Sequence, residues 1–381
     1  MKYFSGFFVS KRKTLDSFSI EIIETKYLYP MKNVDYIIVG LGIAGISFCE
    51  QLYKHNKSFV VVDKGFDAST AVSGGVINPV VLKRFTIGDD SKKYLETTIP
   101  FYNEISVKLK ETIFIDLPVL RIFNSIEEQN NWMVAGDKKE LETFLSSEII
   151  KNSNSAIKAP FGFGKVNGTG KIFPSKLLSL YGKFLQKQNK LLCEIFEYDN
   201  VSETNNKIHY KDISASKIVF TEGASAVKNP FFPKEFLQEN KGEYILIKAP
   251  TLKVREILKG PMFIIPLGDN LYKVGATYNR EDDSREITDM AKNQIIEKLK
   301  KMILCDFEVV DQVAGIRPTV KDRKPLLGNL SESNLKVFFN GLGTRGLLMA
   351  PLLSAQLYDY LENNIALPRD ININRFEKKI S

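Results

Sequence analysis

The sequence predicts an α/β fold in which a Rossmann-like part is joined to a second, strand-rich part. A short hydrophobic strand at 34–39 leads into Gly40–Gly45 and a helix, and a second strand at 58–63 follows. Near the other end, a strand at 337–340 leads into a second glycine-rich helix start, Gly341–Gly346. Between them, residues 242–276 contain short β-rich runs separated by a turn. Strand–glycine–helix units are typical of doubly wound sheets, which explains the first half of the prediction.

The composition bounds the size and the chemistry. The 381 residues suit two or three domains or one large two-part fold, with 44% hydrophobic and 26% charged residues, as in soluble globular proteins. No run approaches the ~18 apolar residues of a membrane-spanning helix. There are two histidines, and the three cysteines form no CxxC pair. We therefore expect no metal site and no disulfide framework, and chemistry that imidazole does not drive.

The net charge of +8 is compatible with several kinds of anionic binding partner. A basic chain can bind nucleic acid, an anionic membrane or anionic ligands. The positive residues are scattered and their densest clusters are short, so we favour a solvated lysine-rich surface.

Residues 1–30 precede the first clear strand. They contain no cleavage site of small residues, and the basic cluster Lys11–Lys13 follows the short apolar run instead of preceding it, unlike a secretory signal. We interpret this segment as a leader or loose appendage that cofactor binding does not need. We expect a cytoplasmic protein.

The motif at 34–63 predicts dinucleotide binding. Gly40 permits the tight turn, Gly42 allows a pyrophosphate close to the backbone, and Gly45 allows the helix to pack on the strand. The helix N-terminus offers free N–H groups to the phosphates. Asp63 ends the second strand and can accept hydrogen bonds from the adenosine ribose, which disfavours NADP. This motif alone does not separate FAD from NAD.

Four further segments favour FAD. Small and hydroxyl residues at Ser69–Pro79 suit backbone packed against a planar ligand, and the strand 217–221 ends in a glycine turn at Gly223. A polar, turn-rich stretch is predicted at 315–328. The helix that starts after Gly341–Gly346 can stabilise negative charge on a reduced flavin, a function that NAD enzymes do not need.

These segments together resemble the FAD-dependent amino-acid oxidase family, which includes glycine oxidase, sarcosine oxidase and D-amino-acid oxidase. The resemblance covers roughly 34–376, and Ser73–Pro79 with Gly315–Arg317 look most like glycine oxidase and the oxidase half of the bacterial methylaminomethyl-thiouridine tRNA-modifying enzyme. Gly315 stands where covalent-flavin members carry cysteine, which implies non-covalent FAD. Glu222 departs from the small or hydroxyl residue usual in the family.

The resemblance implies two domains that are discontinuous in sequence. The FAD-binding domain would comprise 31–115, 166–228 and 310–376, and the substrate domain 116–165 and 229–309, with a largely antiparallel sheet over the flavin. The residues expected to bind FAD are Gly40, Gly42, Ala44, Gly45, Asp63, Lys64, Ser69, Thr70, Ser73, Gly74, Gly75, Thr221, Gly223, Gly341, Gly343, Thr344, Arg345, Gly346 and Leu347.

The expected chemistry is oxidation of the C–N bond of an amine or amino acid. Flavin N5 would take a hydride from the α-carbon, and oxygen or a quinone would reoxidise the flavin. Arg317 is the candidate for binding a substrate carboxylate through its planar fork, and Tyr278 is a candidate pocket residue. Without the resemblance, Arg317 would be interpreted as a surface arginine that caps a helix or pairs with Asp322.

Other residues carry weaker interpretations. Arg345 either faces the flavin or anchors its loop, and Lys83 and Arg84 are expected to face solvent. His55 is expected to interact with the dipole of the first helix, and Trp132 to serve packing.

Two alternative functions stay open. One is oxidation of a modified uridine on tRNA, which the positive charge supports but the missing methyltransferase half and the lack of an RNA-binding motif oppose. The other is a flavin-binding protein without turnover. The substrate, the electron acceptor and the oligomeric state are not determined by the sequence.

Overall fold

The computed structural model describes residues 32–65, 68–88 and 90–379, with side chains through Phe376. The proposed leader at 1–30 lies outside the described residues.

Three of the described helices, α4 Ile126–Gly136, α5 Pro174–Lys187 and α6 Asp289–Leu299, begin at residues suited to that position. α4 and α6 have hydroxyl N-caps, because Ser125 accepts a hydrogen bond from the backbone N–H of Glu128 and Thr288 from that of Ala291. α5 begins with Pro174, whose missing N–H has no helical partner at that position. The helices are α1 Ile43–Lys54, α2 Ser69–Val72, α3 Ser91–Leu109, α4 Ile126–Gly136, α5 Pro174–Lys187, α6 Asp289–Leu299 and α7 Gly346–Glu362.

The strands account for the rest of the regular structure. They are β1 Lys32–Val39, β2 Phe59–Val62, β3 Val76–Ile77, β4 Val80–Val81, β5 Thr86–Ile87, β6 Phe114–Asp116, β7 Val119–Ile122, β8 Leu145–Ile150, β9 Phe163–Val166, β10 Gly170–Ile172, β11 Leu191–Leu192, β12 Val201–Thr204, β13 Lys207–Tyr210, β14 Ile213–Phe220, β15 Leu237–Lys248, β16 Ile257–Lys259, β17 Phe263–Gly268, β18 Leu271–Gly275, β19 Glu308–Val320, β20 Leu326–Asn329 and β21 Lys336–Asn340.

The first sheet is the predicted Rossmann-like one. Its parallel core runs in the order β11-β2-β1-β14-β21, and β13, β12 and β20 extend it antiparallel. β1 and β2 are buried on both faces, as parallel strands covered on both sides should be. Ile38 and Val61 belong to the core shared with α1 and α7, whereas Ile37 and Val60 belong to the core on the opposite face.

The second sheet has the order β19-β15-β18-β17-β16-β7-β9-β8 and is antiparallel except where β16 meets β7. The predicted hairpin between β17 and β18 is present, with Asp269 and Asn270 at positive φ. α6 packs on this sheet through Ile295 and Leu299. A fold with one largely parallel sheet and one largely antiparallel sheet is therefore confirmed.

The segment 315–328 differs from the prediction. Its first part is not a turn, because β19 pairs with β15 along its whole length to Val320. β19 is an edge strand of the second sheet. Edge strands tolerate proline, so Pro318 is compatible with this strand. Residues 310–320 thus extend the second sheet, although we expected them in the FAD-binding part.

Candidate FAD and substrate site

A cavity of about 560 Å³ is lined by residues from both sheets. The first sheet contributes the ends of β1, β2, β14 and β21, and the second contributes one face of β15 to β19. All predicted cofactor residues except Gly45 and Gly341 line this cavity, as do Arg317 and Tyr278. The tertiary structure thus brings together segments that are about 300 residues apart in sequence.

The two predicted glycines outside the cavity lining are packing positions. A Cβ on Gly45 would lie 2.2 Å from the carbonyl oxygen of Gly40, so α1 can approach β1 only with glycine there. Gly341 has a φ of +73°, and a Cβ there would lie 2.6 Å from Val320. Both glycines support the loops that line the cavity, and for Gly45 this is the close packing of helix on strand that the motif predicts. Contact of either glycine with the cofactor stays a prediction.

The loop between β1 and α1 is held in place by side-chain hydrogen bonds. Asp63 accepts from the backbone N–H of Leu41 at 2.6 Å, and Thr70 Oγ1 accepts from that of Ile43 at 3.1 Å. The Thr221 hydroxyl donates to the carbonyl oxygens of the same loop, at 2.6 Å for Gly40. Part of the predicted cofactor set therefore shapes the loop as well as lining the cavity.

Gly42 gives the test of whether this loop fits a dinucleotide. A Cβ on Gly42 would meet only Thr70 Oγ1, at 3.5 Å, so protein atoms leave room on the cavity side. The α1 N-terminus behind it presents its first N–H groups and the positive end of its dipole. This arrangement fits the pyrophosphate of FAD.

A second helix N-terminus meets the cavity at α7. A 3-10 turn at Gly343–Arg345 precedes α7, and Gly343 has a φ of +55°. Arg345 donates to the carbonyl oxygen of Pro79 at 2.7 Å. Of its two predicted roles, Arg345 therefore anchors the segment at 78–79, although its side chain also lines the cavity.

Arg317 lies on the wall of the second sheet. Its guanidinium lies over Gly242, whose Cβ would come within 1.9 Å of Nη2. It donates to Asn240 Oδ1 at 3.0 Å and to the carbonyl oxygen of Thr277 at 3.2 Å. Asp322, the alternative partner, binds Arg375 instead. Arg317 is thus held in the cavity wall without a carboxylate partner among its described hydrogen bonds.

Tyr278 marks the mouth of the cavity. Its side chain is 57% exposed, and its ring lies 5.7 Å from the Arg317 guanidinium carbon. The segment that carries it is tied to β15, because the buried Lys241 ammonium binds Asp282 Oδ2 at 2.6 Å. That hydrogen bond lowers the pKa of Asp282 to about 2.

Glu222 is the departure from the family pattern, and it lines the cavity beside Thr221. Its carboxyl accepts hydrogen bonds from the Tyr198 hydroxyl and, at 2.7 Å, from Asn229 Nδ2. Burial raises the pKa of Glu222 to about 7 although both hydrogen bonds lower it. Near neutral pH this carboxyl is therefore about half protonated.

We expect Glu222→Gln to remove a pH-dependent cost to stability. An ordinary glutamate has a pKa near 4.5. Since the folded-state pKa is raised, wild type loses stability as pH rises from about 4.5 to about 7, by up to about 3 kcal/mol. Urea unfolding of the apoproteins gives the free energy of unfolding at about pH 5 and about pH 8. Relative to wild type, the variant should have a higher free energy of unfolding at pH 8 than at pH 5. The exposed Glu235→Gln is the control, and a constant difference would contradict the assignment.

The structure also shows the surroundings of the residues with weaker interpretations. His55 stacks on Tyr358 with ring centroids 4.0 Å apart, and Trp132 is fully buried against Phe123. Lys83 is exposed but lines the cavity, whereas Arg84 is exposed and outside the lining.

The sequence analysis missed several lining residues on the substrate side of the cavity, among them Tyr244, Lys259, Phe263 and Arg285. No motif marks them. The only available signal is alternation, since Tyr244 is two residues from Gly242 and so shares its face.

Two features are absent from the described part of the chain. Among residues 32–379, apart from 66–67 and 89, no three His, Cys, Asp or Glu side chains are grouped to hold a metal ion. Within the same ranges, no helix has the length and apolarity needed to cross a bilayer.

Comparisons with known proteins agree with this geometry. The chain is 23% identical over 368 residues to a glycine oxidase of Bacillus licheniformis, with 91% of this chain and 98% of that protein covered. It is 23% identical to the tRNA 5-methylaminomethyl-2-thiouridine biosynthesis bifunctional protein MnmC of Campylobacter jejuni subsp. doylei, covering 78% of this chain and only 46% of that protein. The chain thus spans less than half of the bifunctional protein.

A solved structure shows the same fold, and a family match assigns the chain. The crystal structure of glycine oxidase from Geobacillus kaustophilus superposes with a TM-score of 0.72 at 16% identity, covering 88% of this chain and 96% of that one. Residues 35–360 match the DAO family of FAD-dependent oxidoreductases. Because this match includes both sheets and the cavity between them, the chain belongs to the DAO family of FAD-dependent oxidoreductases.

Proposed function

We propose that this protein oxidises the C–N bond of a small amine or amino acid that carries a carboxylate, using non-covalently bound FAD. The observation that carries the proposal is Arg317. Its guanidinium lies in the cavity wall that faces the two helix N-termini, held by neutral acceptors. A fork held in this way can bind a carboxylate bidentately.

The chain's own residues would position the substrate. Arg317 binds the carboxylate and Tyr278 closes the mouth of the cavity. The missing side chains of Gly242 and Gly275 make room for the Arg317 guanidinium and the Tyr244 ring in the cavity wall. FAD would supply a two-electron acceptor at N5. The substrate loses a hydride from its α-carbon and a proton from its nitrogen, and the resulting imine is hydrolysed by water. Oxygen or a quinone then takes up the two electrons.

Non-covalent attachment is supported by the lining of the cavity. Among the described residues, neither a cysteine nor a histidine is part of it, and Gly315 packs against Val72.

The test is anaerobic titration of the holoenzyme with glycine, sarcosine, D-alanine and proline, followed by absorbance of the flavin band. We expect at least one of them to bleach the band and to release the corresponding carbonyl product. Lack of reduction by any amine would refute the proposal and would favour a flavin-binding protein without turnover.

A tRNA-borne substrate is the second candidate. It is favoured by the cations that line the cavity, among them Lys83, Lys259, Arg285 and Arg317, and by the match to half of the tRNA-modifying relative. An electrophoretic shift with tRNA, and flavin bleaching by the modified tRNA alone, would support it over a free amine.

A further inference from the structure

Lys259 is a lysine in the cavity lining that no sequence motif marks and to which the proposed amine oxidation assigns no role. It is the last residue of β16, it is partly buried, and it lines the cavity. Its ammonium lies 4.7 Å from the centroid of the Phe263 ring, which also lines the cavity. The aromatic face directs this ammonium along the cavity wall.

The Lys259 ammonium has no anionic partner in the described part of the chain. No carboxylate or carbonyl oxygen there accepts a hydrogen bond from it, and the charges that act on it are those of Arg121 and Lys298, both cations. Glu128 is paired with Arg121, whose Nε donates to its carboxylate at 2.9 Å. Burial, with repulsion from these two cations, lowers the pKa of Lys259 to about 8. A bound anion would relieve this cost.

Strand register places Lys259 on the same face as Arg317. In the strand register Lys259 lies opposite Phe263, Phe263 opposite Gly275, and Gly275 opposite Tyr244. These four residues therefore share one face of the sheet. Arg317 joins that face through Asn240, four residues along β15 from Tyr244.

The wall between the two cations belongs to the same cavity, because Tyr244, Phe263 and Gly275 all line it. The missing side chain of Gly275 makes room for the Tyr244 ring, since a Cβ there would lie 2.6 Å from Tyr244 Cδ1. The strands that carry Phe263 and Tyr244 are two spacings apart, about 10 Å. Arg317 therefore lies at one end of this strip of cavity wall and Lys259 at the other. This strip is too long for a substrate as small as glycine to contact both cations.

We infer that Lys259 binds a second anionic group of the substrate, and that the preferred substrate is an N-carboxyalkyl glycine or similar amine dicarboxylate. The inference rests on the proposed function, since it assigns the first carboxylate to Arg317. A free dicarboxylate is favoured over a nucleic-acid phosphate because the ammonium lies partly buried against Phe263, where a carboxylate on a slender chain can reach it. The phosphates of FAD are expected to bind elsewhere, at the N-terminus of α1, which packs on the first sheet.

The reaction balances for this substrate class. The glycine methylene loses a hydride to the flavin and the nitrogen loses a proton, which gives an imine. Water adds to the imine and splits it into glyoxylate and the free ω-amino acid. The distal carboxylate that Lys259 binds is unchanged.

The experiment compares matched substrates on matched holoenzymes. N-(carboxypropyl)glycine and N-butylglycine differ only in the terminal group, and iminodiacetate gives a shorter diacid. Wild type, Lys259→Met, Lys259→Arg and the exposed control Lys165→Met are assayed for KM, kcat, glyoxylate release and FAD affinity. Methionine keeps the apolar stem over Phe263, and arginine keeps the charge.

We expect wild type to prefer N-(carboxypropyl)glycine over N-butylglycine by about tenfold to a hundredfold in kcat/KM, mostly through KM. Lys259→Met should abolish this preference by raising KM for N-(carboxypropyl)glycine far more than KM for N-butylglycine, and Lys259→Arg should retain it. Equal use of both substrates by wild type, or equal losses for both in Lys259→Met, would overturn the inference and leave the proposed function intact. Weakened FAD binding in Lys259→Met would also overturn it, because the anion would then belong to the cofactor. Lack of flavin reduction by every amine would overturn both.

Discussion

Replacing Arg317 with alanine should raise KM for carboxylate substrates so far that kcat/KM falls by about a hundredfold or more, while FAD stays bound. Removing one partner of a desolvated, hydrogen-bonded charge pair costs about 2–5 kcal/mol, and each 1.4 kcal/mol is tenfold. The guanidinium touches Asn240, Thr277 and Gly242, all on the substrate side of the cavity. FAD content should therefore not change.

Two further variants separate charge from geometry at this position. Arg317→Lys keeps the positive charge but loses the planar fork, so we expect an intermediate KM. The exposed Arg255→Ala is the control for loss of a surface arginine. Steady-state kinetics together with flavin absorbance per polypeptide give both readouts. An unchanged KM in Arg317→Ala would remove Arg317 from the substrate site.

The second large effect is expected at the two glycines that open α1. Gly45→Ala would place a methyl group 2.2 Å from a backbone oxygen, which forces β1 and α1 apart. Overpacking of this kind costs about 3 kcal/mol. We expect the apoprotein of Gly45→Ala to melt well below wild type and to purify with little FAD.

Gly42→Ala is the matched contrast. Its methyl group would meet only Thr70 Oγ1, at 3.5 Å, so the apoprotein should melt close to wild type. The same methyl group would occupy the space expected for the pyrophosphate, and we expect FAD affinity to fall at least about tenfold, which is 1.4 kcal/mol. Thermal unfolding of the apoproteins and FAD titration measure the two effects separately. Full FAD affinity in Gly42→Ala would show that the pyrophosphate does not approach this loop.

The local elements were predictable where the pattern is local. The strand at 34–39, the helix that starts after Gly341–Gly346 and the turn between the β-rich runs of 242–276 are all present in the structure. Each depends on hydrophobic periodicity, on proline or glycine, or on residues that tolerate positive φ.

The stretch at 315–320 was not predictable in this way. Its glycine, arginine and proline resemble a turn, because glycine and proline are the usual turn residues. In the structure they form an edge strand, where the open side tolerates proline and the glycine makes room for Val72. Only the pairing with β15 shows this, since pairing depends on residues about 75 positions away.

The sequence by itself determined the dinucleotide-binding part, through glycine spacing and an acid at a strand end, and it identified Arg317 by resemblance. The tertiary structure decided which of these residues reach the cavity: Gly45 and Gly341 do not, because their missing side chains make room for backbone packing. It also decided that Lys259 lies on the same cavity wall as Arg317. That placement follows from cross-strand register over five strands, and register depends on pairings between distant residues that no local pattern encodes.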